Sequence, residues 1–169
     1  GIRDHDLATL METGTSPHTG YRTPGPYMQE YTADIVLLHI GTNDASAADT
    51  SNVDGLVRIL DAIDDYEDWS GDSVRVFLAR IISNRDYDCN THPRTRAYNS
   101  LIDQLYTDRK ANGDLITLVD MECGASIDYS ADMMDQLHPN QTGYDKMGEA
   151  WFAAVDAYLR SVYVRYTIT

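Results

Sequence analysis

The chain has 169 residues, of which 43% are hydrophobic and 24% are charged, and this balance predicts one globular domain over residues 1–169. The formal net charge of −14 argues against binding to nucleic acid or to an anionic membrane, because phosphate recognition needs clustered Lys and Arg. No apolar run is long enough to span a membrane.

The first third of the chain changes from an irregular segment to a regular one. Residues 1–30 are rich in Gly, Pro and Thr, which predicts loops with at most a short helix. Residues 35–40 form a nearly unbroken apolar run closed by Gly41, which predicts a strand buried on both faces. Residues 51–66 carry an apolar stripe at helical spacing, so a helix follows this strand.

The rest of the chain continues this alternation. Residues 74–81 (VRVFLARI) predict a second strand, and residues 95–111 predict a helix that ends at Asn112-Gly113. Residues 115–121 predict a third strand, and a last helix runs from about residue 141 to residue 159 or 160.

A βαβαβα order predicts an α/β fold with a parallel sheet and helices on both faces. The tail at 162–168 alternates apolar and polar residues, which predicts a possible extra strand. In such sheets, functional residues gather in the loops beyond the carboxyl ends of the strands.

Three polar side chains occupy such loops. Asn43 follows the first strand, and Asp135 and His138 precede the last helix. An Asp three residues before a His can orient one imidazole nitrogen, so that the other acts as a general base. A nearby amide such as Asn43 can stabilise an oxyanion.

The motifs around these residues resemble one known family. GTND at 41–44 and DQLHP at 135–139 resemble the GxND and DxxHP blocks of the SGNH hydrolases, also called GDSL esterases. Their flanks resemble those of bacterial carbohydrate acetyl esterases. HTGYR at 18–22, with Gly20, resembles the glycine block of the same family.

The resemblance implies a flavodoxin-like three-layer α/β/α fold and a serine ester hydrolase without metal or cofactor. By carry-over, His138 is the base, Asp135 orients it, and Asn43 and Gly20 form the oxyanion hole. The implied substrate is a small-molecule or carbohydrate ester, such as an acetyl ester.

The nucleophile does not follow the family pattern, in which the GDS block comes first. GDS at 71–73 precedes the strand at 74–81, so Ser73 lies roughly 25 Å from the carboxyl ends of the strands and is rejected as the nucleophile. Ser16 is a weak candidate, while Ser83 and Ser126 match no motif. The nucleophilic serine is therefore expected outside this chain.

Three functional readings stay open. The chain is the larger part of a serine esterase that lacks its N-terminal strands, an inactive SGNH-like domain that binds a ligand or partner, or an unrelated flavodoxin-like module. Without those strands, the edge of the strand at 35–40 is exposed, and either the tail at 162–168 or a homodimer mate is expected to pair with it.

The remaining candidate sites are a cysteine pair and an acidic loop. Cys89 and Cys123 follow neighbouring strands and are either a disulfide or free thiols; a disulfide would favour an exported protein. Asp86, Asp88 and Asn90 resemble the start of a calcium loop. That loop lacks the usual Gly and Glu, so no metal site is predicted.

Overall fold

A computed structural model describes residues 1–47 and 51–166. Its elements, in chain order, are α1 (Asp4–Thr13), α2 (Tyr27–Glu30), β1 (Ile35–Leu38), α3 (Thr42–Ser46), α4 (Asp54–Ser70), β2 (Arg75–Ala79), α5 (Pro93–Asn112), β3 (Ile116–Val119) and α6 (Gln141–Tyr166). The chain divides into two compact units. The first contains Gly1–Ile81 and Pro93–Leu118, and the second contains Ile82–His92 and the chain from Val119 onward.

The first unit is built on a three-stranded sheet with the order β1-β2-β3. β1 and β2 are parallel, with Ile35 opposite Arg75 and Leu38 opposite Leu78. The central strand β2 is the most buried, because apolar side chains such as Phe77 face both layers. The predicted α/β fold with a parallel sheet is confirmed.

The prediction that the strand at 35–40 is buried on both faces is wrong. β1 ends at Leu38, its residues Ile35 and Val36 are half-buried, and Leu37 is 47% exposed. The reason is its place in the sheet: within the described residues β1 has one strand neighbour, β2. An apolar run therefore identified the strand but not its edge position.

The N-terminal segment is more ordered than its Gly, Pro and Thr content suggests. α1 has ten residues and begins where the Arg3 N–H donates to the Asp6 carboxylate at 3.1 Å. It ends at Gly14, which adopts the left-handed conformation typical of a helix C-terminus. The buried residues Ala8 and Met11 join the main apolar core of the first unit, which also contains residues of α4. The loop-forming residues lie after Gly14.

The predicted C-terminal strand at 162–168 is also wrong for the residues that the structure describes. α6 continues through Tyr166, while residues 167 and 168 lie outside the described part of the chain. Residues 162–166 continue a helix that is already formed, and adding a residue to a helix needs no new nucleation. A strand-like tail covering the β1 edge is thus not seen up to Tyr166.

The second unit contains two long loops joined by a covalent bond. Cys89 and Cys123 form a disulfide, with their Cα atoms 5.2 Å apart. Beside it, the buried Tyr129 hydroxyl donates to the Glu122 carbonyl at 2.6 Å and accepts from the Ser83 N–H at 3.2 Å. Among the described helices, none combines the length and apolar character that crossing a bilayer requires.

Candidate functional site

The loop before α6 is a tight turn that its own backbone closes. Met133 and Pro139 form an isolated antiparallel bridge, and the Met134 N–H donates to the His138 carbonyl at 2.8 Å. Within the turn, Asp135 Oδ1 accepts the N–H groups of Leu137 and His138, each at 2.8 Å. This turn therefore brings the Asp135 carboxylate next to the imidazole of His138, which is only three residues away in the sequence.

The His138 ring is oriented by the Asp135 carboxylate. Its Nδ1 lies 3.0 Å from Oδ1 and 2.9 Å from Oδ2 of Asp135. The bonds from the Leu137 and His138 backbone, followed by the contact with the ring, lower the pKa of Asp135 to about 2. Because Nδ1 faces the carboxylate, Nε2 points away from it, and the His138 side chain is 61% exposed. This arrangement can present Nε2 to a substrate as a general base.

The start of α6 fixes the far side of this turn. Asn140 Oδ1 accepts the Gly143 N–H at 3.1 Å, which is an N-terminal helix cap. The same Asn140 donates from Nδ2 to the Ala131 carbonyl at 2.8 Å. Gly143 has no space for a side chain, because a Cβ would overlap the Asp132 carbonyl. These contacts therefore restrict the orientation of the turn relative to the start of α6.

The GTND segment lies in the first unit, where β1 leads into the short helix α3. Gly41 has φ +119°, a value that side chains strongly disfavour. A Cβ at Gly41 would also overlap the ring of Tyr98, which is fully buried on α5. Glycine is thus required here by the backbone conformation and by the packing of Tyr98.

The Asn43 side chain is held by the first residues of the chain. Its Nδ2 donates to the Ile2 carbonyl at 2.8 Å. Gly1 lies directly against it, since a Cβ on Gly1 would overlap the Asn43 amide. One N–H of the amide is thereby engaged, and the amide carries a second N–H donor.

The next residue, Asp44, belongs to a buried acidic group. Asp44 is 2% exposed, and its Oδ2 accepts the Asp4 N–H at 3.2 Å. Burial, followed by the neighbouring Asp4 charge, raises the pKa of Asp44 to about 6. Within the described residues, ligand atoms of Asp4, His5 and Asp44 all lie within 4.8 Å of one another, so this group is a candidate for holding a cation. In the structure the Asp4 oxygens already accept from the Tyr98 hydroxyl and the His5 N–H.

Gly20 is the glycine that the resemblance implies for the oxyanion hole. It lies in an exposed turn with φ +72°, and its N–H donates to the Ser16 carbonyl at 2.9 Å. A role in oxyanion binding would require this turn to open. Gly1, which the sequence motifs did not single out, lies against the Asn43 amide.

The four serines considered above lie in settings unlike a nucleophile turn. Ser73 is exposed and lies between α4 and β2, at the amino end of that strand. Ser16 is buried, and its Oγ accepts the Thr19 N–H at 3.2 Å in a local turn. Ser83 is 1% exposed, and Ser126 is exposed with φ 56°. The structure does not identify the nucleophile.

Comparison with known proteins gives consistent matches. Residues 12–146 match the model of the GDSL-like Lipase/Acylhydrolase family. A multidomain esterase of Ruminococcus flavefaciens is 32% identical over 140 residues, which cover 81% of this chain and 17% of that protein. The chain therefore spans about a sixth of the length of this relative.

Solved structures show the same fold at low sequence identity. A family 3 carbohydrate esterase of Clostridium thermocellum (18% identity) and one of Talaromyces cellulolyticus (19%) each match with a TM-score of 0.68. A mutant acetyl esterase solved with an acetate ion matches with the same score of 0.68 at 18% identity. The matches cover 95% of this chain and 68 to 70% of those chains.

Proposed function

Because the chain belongs to the GDSL-like lipase/acylhydrolase family, we propose that it is a serine ester hydrolase in which His138 is the general base. Asp135 orients the imidazole, and Asn43 donates to the oxyanion. The observation that carries this proposal is the contact of both Asp135 carboxylate oxygens with His138 Nδ1, at 3.0 and 2.9 Å.

The proposed reaction has two acyl-transfer steps. His138 Nε2 takes the proton of the serine hydroxyl while the serine oxygen attacks the acyl carbon, and the negative charge moves to the former carbonyl oxygen. The imidazolium then protonates the departing alcohol. A water molecule repeats these steps on the acyl-enzyme and releases the carboxylic acid and the serine.

Asn43 contributes the amide N–H that is not bound to the Ile2 carbonyl. Removing one such donor from an oxyanion hole typically lowers kcat by about 10²- to 10³-fold. Gly20 is the proposed second donor, and its N–H, which donates to the Ser16 carbonyl at 2.9 Å in the structure, would have to turn toward the oxyanion.

In this proposal the nucleophilic serine comes from outside residues 1–169. Two observations support it. The serines at 16, 73, 83 and 126 are buried, bound in turns or away from the carboxyl ends of the strands. The matched acetyl esterase and carbohydrate esterases are longer than this chain, which covers 68 to 70% of them. The exposed β1 edge could accept a further strand carrying that serine.

We further propose an acetylated carbohydrate as the substrate. The matched solved structures include two carbohydrate esterases and an acetyl esterase, and the curated relative is an esterase. The acidic surface, with a net charge of −14, disfavours a strongly anionic substrate. An acetylated neutral sugar satisfies both observations.

The test combines turnover with covalent labelling. The chain, both as given and as part of its full gene product, is incubated with p-nitrophenyl acetate, acetylated xylan fragments and a fluorophosphonate probe, and the labelled serine is located by mass spectrometry. We expect labelling of a serine outside residues 1–169 that is lost in His138→Ala. Glu149→Ala, which changes an exposed residue of α6 outside the HTGYR, GTND and DxxHP segments, is the control.

Two outcomes would redirect the proposal. Labelling at Ser16 or another serine of this chain, with turnover, would place the nucleophile within these residues. A full gene product that neither turns over nor labels would favour the inactive binding domain. Analytical ultracentrifugation of the same samples tests the alternative that a second copy pairs with the β1 edge.

A further inference from the structure

The orientation of the Asn43 amide depends on residues far away in the sequence. Its Nδ2 donates to the Ile2 carbonyl, a partner 41 positions earlier in the chain. A side-chain amide that must aim one N–H at a reacting oxygen benefits when its other N–H is fixed. The position of the Ile2 carbonyl therefore decides where the second N–H of Asn43 points.

The backbone that carries this carbonyl is attached to the GTND segment at a second point. The Asp4 N–H donates to Asp44 Oδ2 at 3.2 Å, two residues after Ile2. Asp4 is itself 6% exposed, and a Cβ on Gly55 of α4 would overlap its carboxylate. Asp4 thus occupies a closed space in which its carboxylate has few alternative positions.

Tyr98 contacts both sides of this arrangement. Its ring lies against Gly41, the first residue of the GTND segment, and its hydroxyl donates to Asp4 Oδ2 at 2.7 Å. Tyr98 is fully buried on α5, so its ring position is set by the core of the first unit. The Tyr98 side chain therefore holds two groups in place: the backbone at Gly41, where the GTND segment begins, and the carboxylate of Asp4.

We propose that Tyr98 is a positioning residue for the Asn43 amide, acting through Asp4 and the backbone of residues 1–4. The functional meaning of this role rests on the proposed esterase activity, in which Asn43 stabilises the oxyanion. The structural link itself is independent of that activity, since all of its contacts lie within the first unit.

The test observes the Asn43 side chain directly by ¹⁵N–¹H NMR in the full chain, with the resonance assigned from an Asn43→Asp variant. In Tyr98→Phe, which removes one oxygen atom, we expect the hydrogen-bonded Asn43 amide proton to exchange with water about tenfold faster. Tyr66→Phe is the matched control, because Tyr66 is a buried tyrosine of the same unit that packs beside Trp69.

A second pair of variants separates positioning from general loosening of the fold. Asp4→Ala is expected to give the same change as Tyr98→Phe, and the double variant no further change, because both act through one contact. Asp4→Asn, which keeps an acceptor for the Tyr98 hydroxyl, is expected to restore most of the protection.

Unchanged exchange at Asn43 in both Tyr98→Phe and Asp4→Ala would overturn the proposal, as would an equal increase in Tyr66→Phe. Esterase assays on the same variants are made in the full gene product and are read separately. Absence of activity in that product without substitutions, with the expected NMR changes, would refute the esterase proposal and leave the positioning role supported.

Discussion

The two motif segments place chemically similar residues in opposite environments. Asp135 and His138 contact each other within an exposed turn, Met133 to Pro139, that the backbone closes locally. Asn43 and Asp44 are held by partners 41 and 40 positions earlier in the sequence, in a more buried setting. Accordingly, the pKa of Asp135 falls to about 2 and the pKa of Asp44 rises to about 6. The same type of side chain is tuned by backbone donors in one segment and by burial in the other.

The disulfide gives the largest expected effect, and that effect should distinguish the two units. Replacing Cys89 and Cys123 by Ser opens a loop with a sequence separation of 34, which we expect to lower the free energy of unfolding by about 3 to 4 kcal/mol. Hydrogen exchange should rise mainly in Ile82–His92 and in the chain after Val119. An equal rise around Asn43 would contradict this expectation.

The next largest effect on stability comes from substitution of two glycines, Gly41 of the GTND segment and Gly20 of the HTGYR segment. Gly41→Ala should destabilise the protein by roughly 2 to 4 kcal/mol, because a left-handed backbone and an overlap with Tyr98 both oppose a side chain. Gly20→Ala should cost only about 1 kcal/mol, since Gly20 also has a positive φ but has open space around it. Urea unfolding of both variants provides the comparison, and equal losses would show that the Tyr98 contact is unimportant.

Asp44 should produce a pH dependence that its burial explains. Its folded pKa of about 6 exceeds the unfolded value of about 3.9, so the folded state binds the proton more tightly. This contribution to stability is fully present below about pH 4, is lost as the pH rises to about 6, and is constant above that. Asp44→Asn should remove this slope and be more stable than the native protein at pH 8 by roughly 1 to 2 kcal/mol. Thermal unfolding between about pH 4 and pH 8 measures it.

Asp135 should give the smallest effect on stability and one of opposite sign. Its folded pKa of about 2 lies below the unfolded value, so its contribution is present above about pH 4 and is lost as the pH falls toward 2. Because the carboxylate is exposed, Asp135→Asn should change unfolding near neutral pH only slightly. The informative signal is the ¹⁵N chemical shift of His138 Nδ1. This shift should differ between Asp135→Asn and the native protein if Asp135 orients the ring. An unchanged His138 Nδ1 shift in Asp135→Asn would contradict the orienting role of Asp135.

The sequence predicted those parts of the molecule whose partners are close along the chain. The strands and helices from Ile35 to Leu159 follow from local periodicity, apart from the small helix α3, and the contact between Asp135 and His138 follows from three-residue spacing across a turn. Parallel pairing followed from the alternation of strands and helices, because a parallel crossover needs a helix-length connection.

The sequence failed where local composition competed with packing. Residues 4–13 are helical because Ala8 and Met11 pack into the core, although the surrounding segment is rich in loop formers. The tail continues α6 through Tyr166, although its alternating pattern also fits a strand. The local sequence of residues 4–13 is compatible with a helix or a loop, and that of the tail with a helix or a strand. Tertiary contacts decide the first case, and continuation of an existing helix decides the second.

The sequence by itself determined the family, the α/β fold and the contact between Asp135 and His138 in the DxxH turn, because motif spacing and periodicity are local properties. Only the tertiary structure decided that Leu37 is exposed at a sheet edge, that Asn43 is bound to Ile2, and that Gly1 lies beside it. Those contacts join residues separated by up to 94 positions, as Asp4 and Tyr98 are, and only the folded chain brings such residues together.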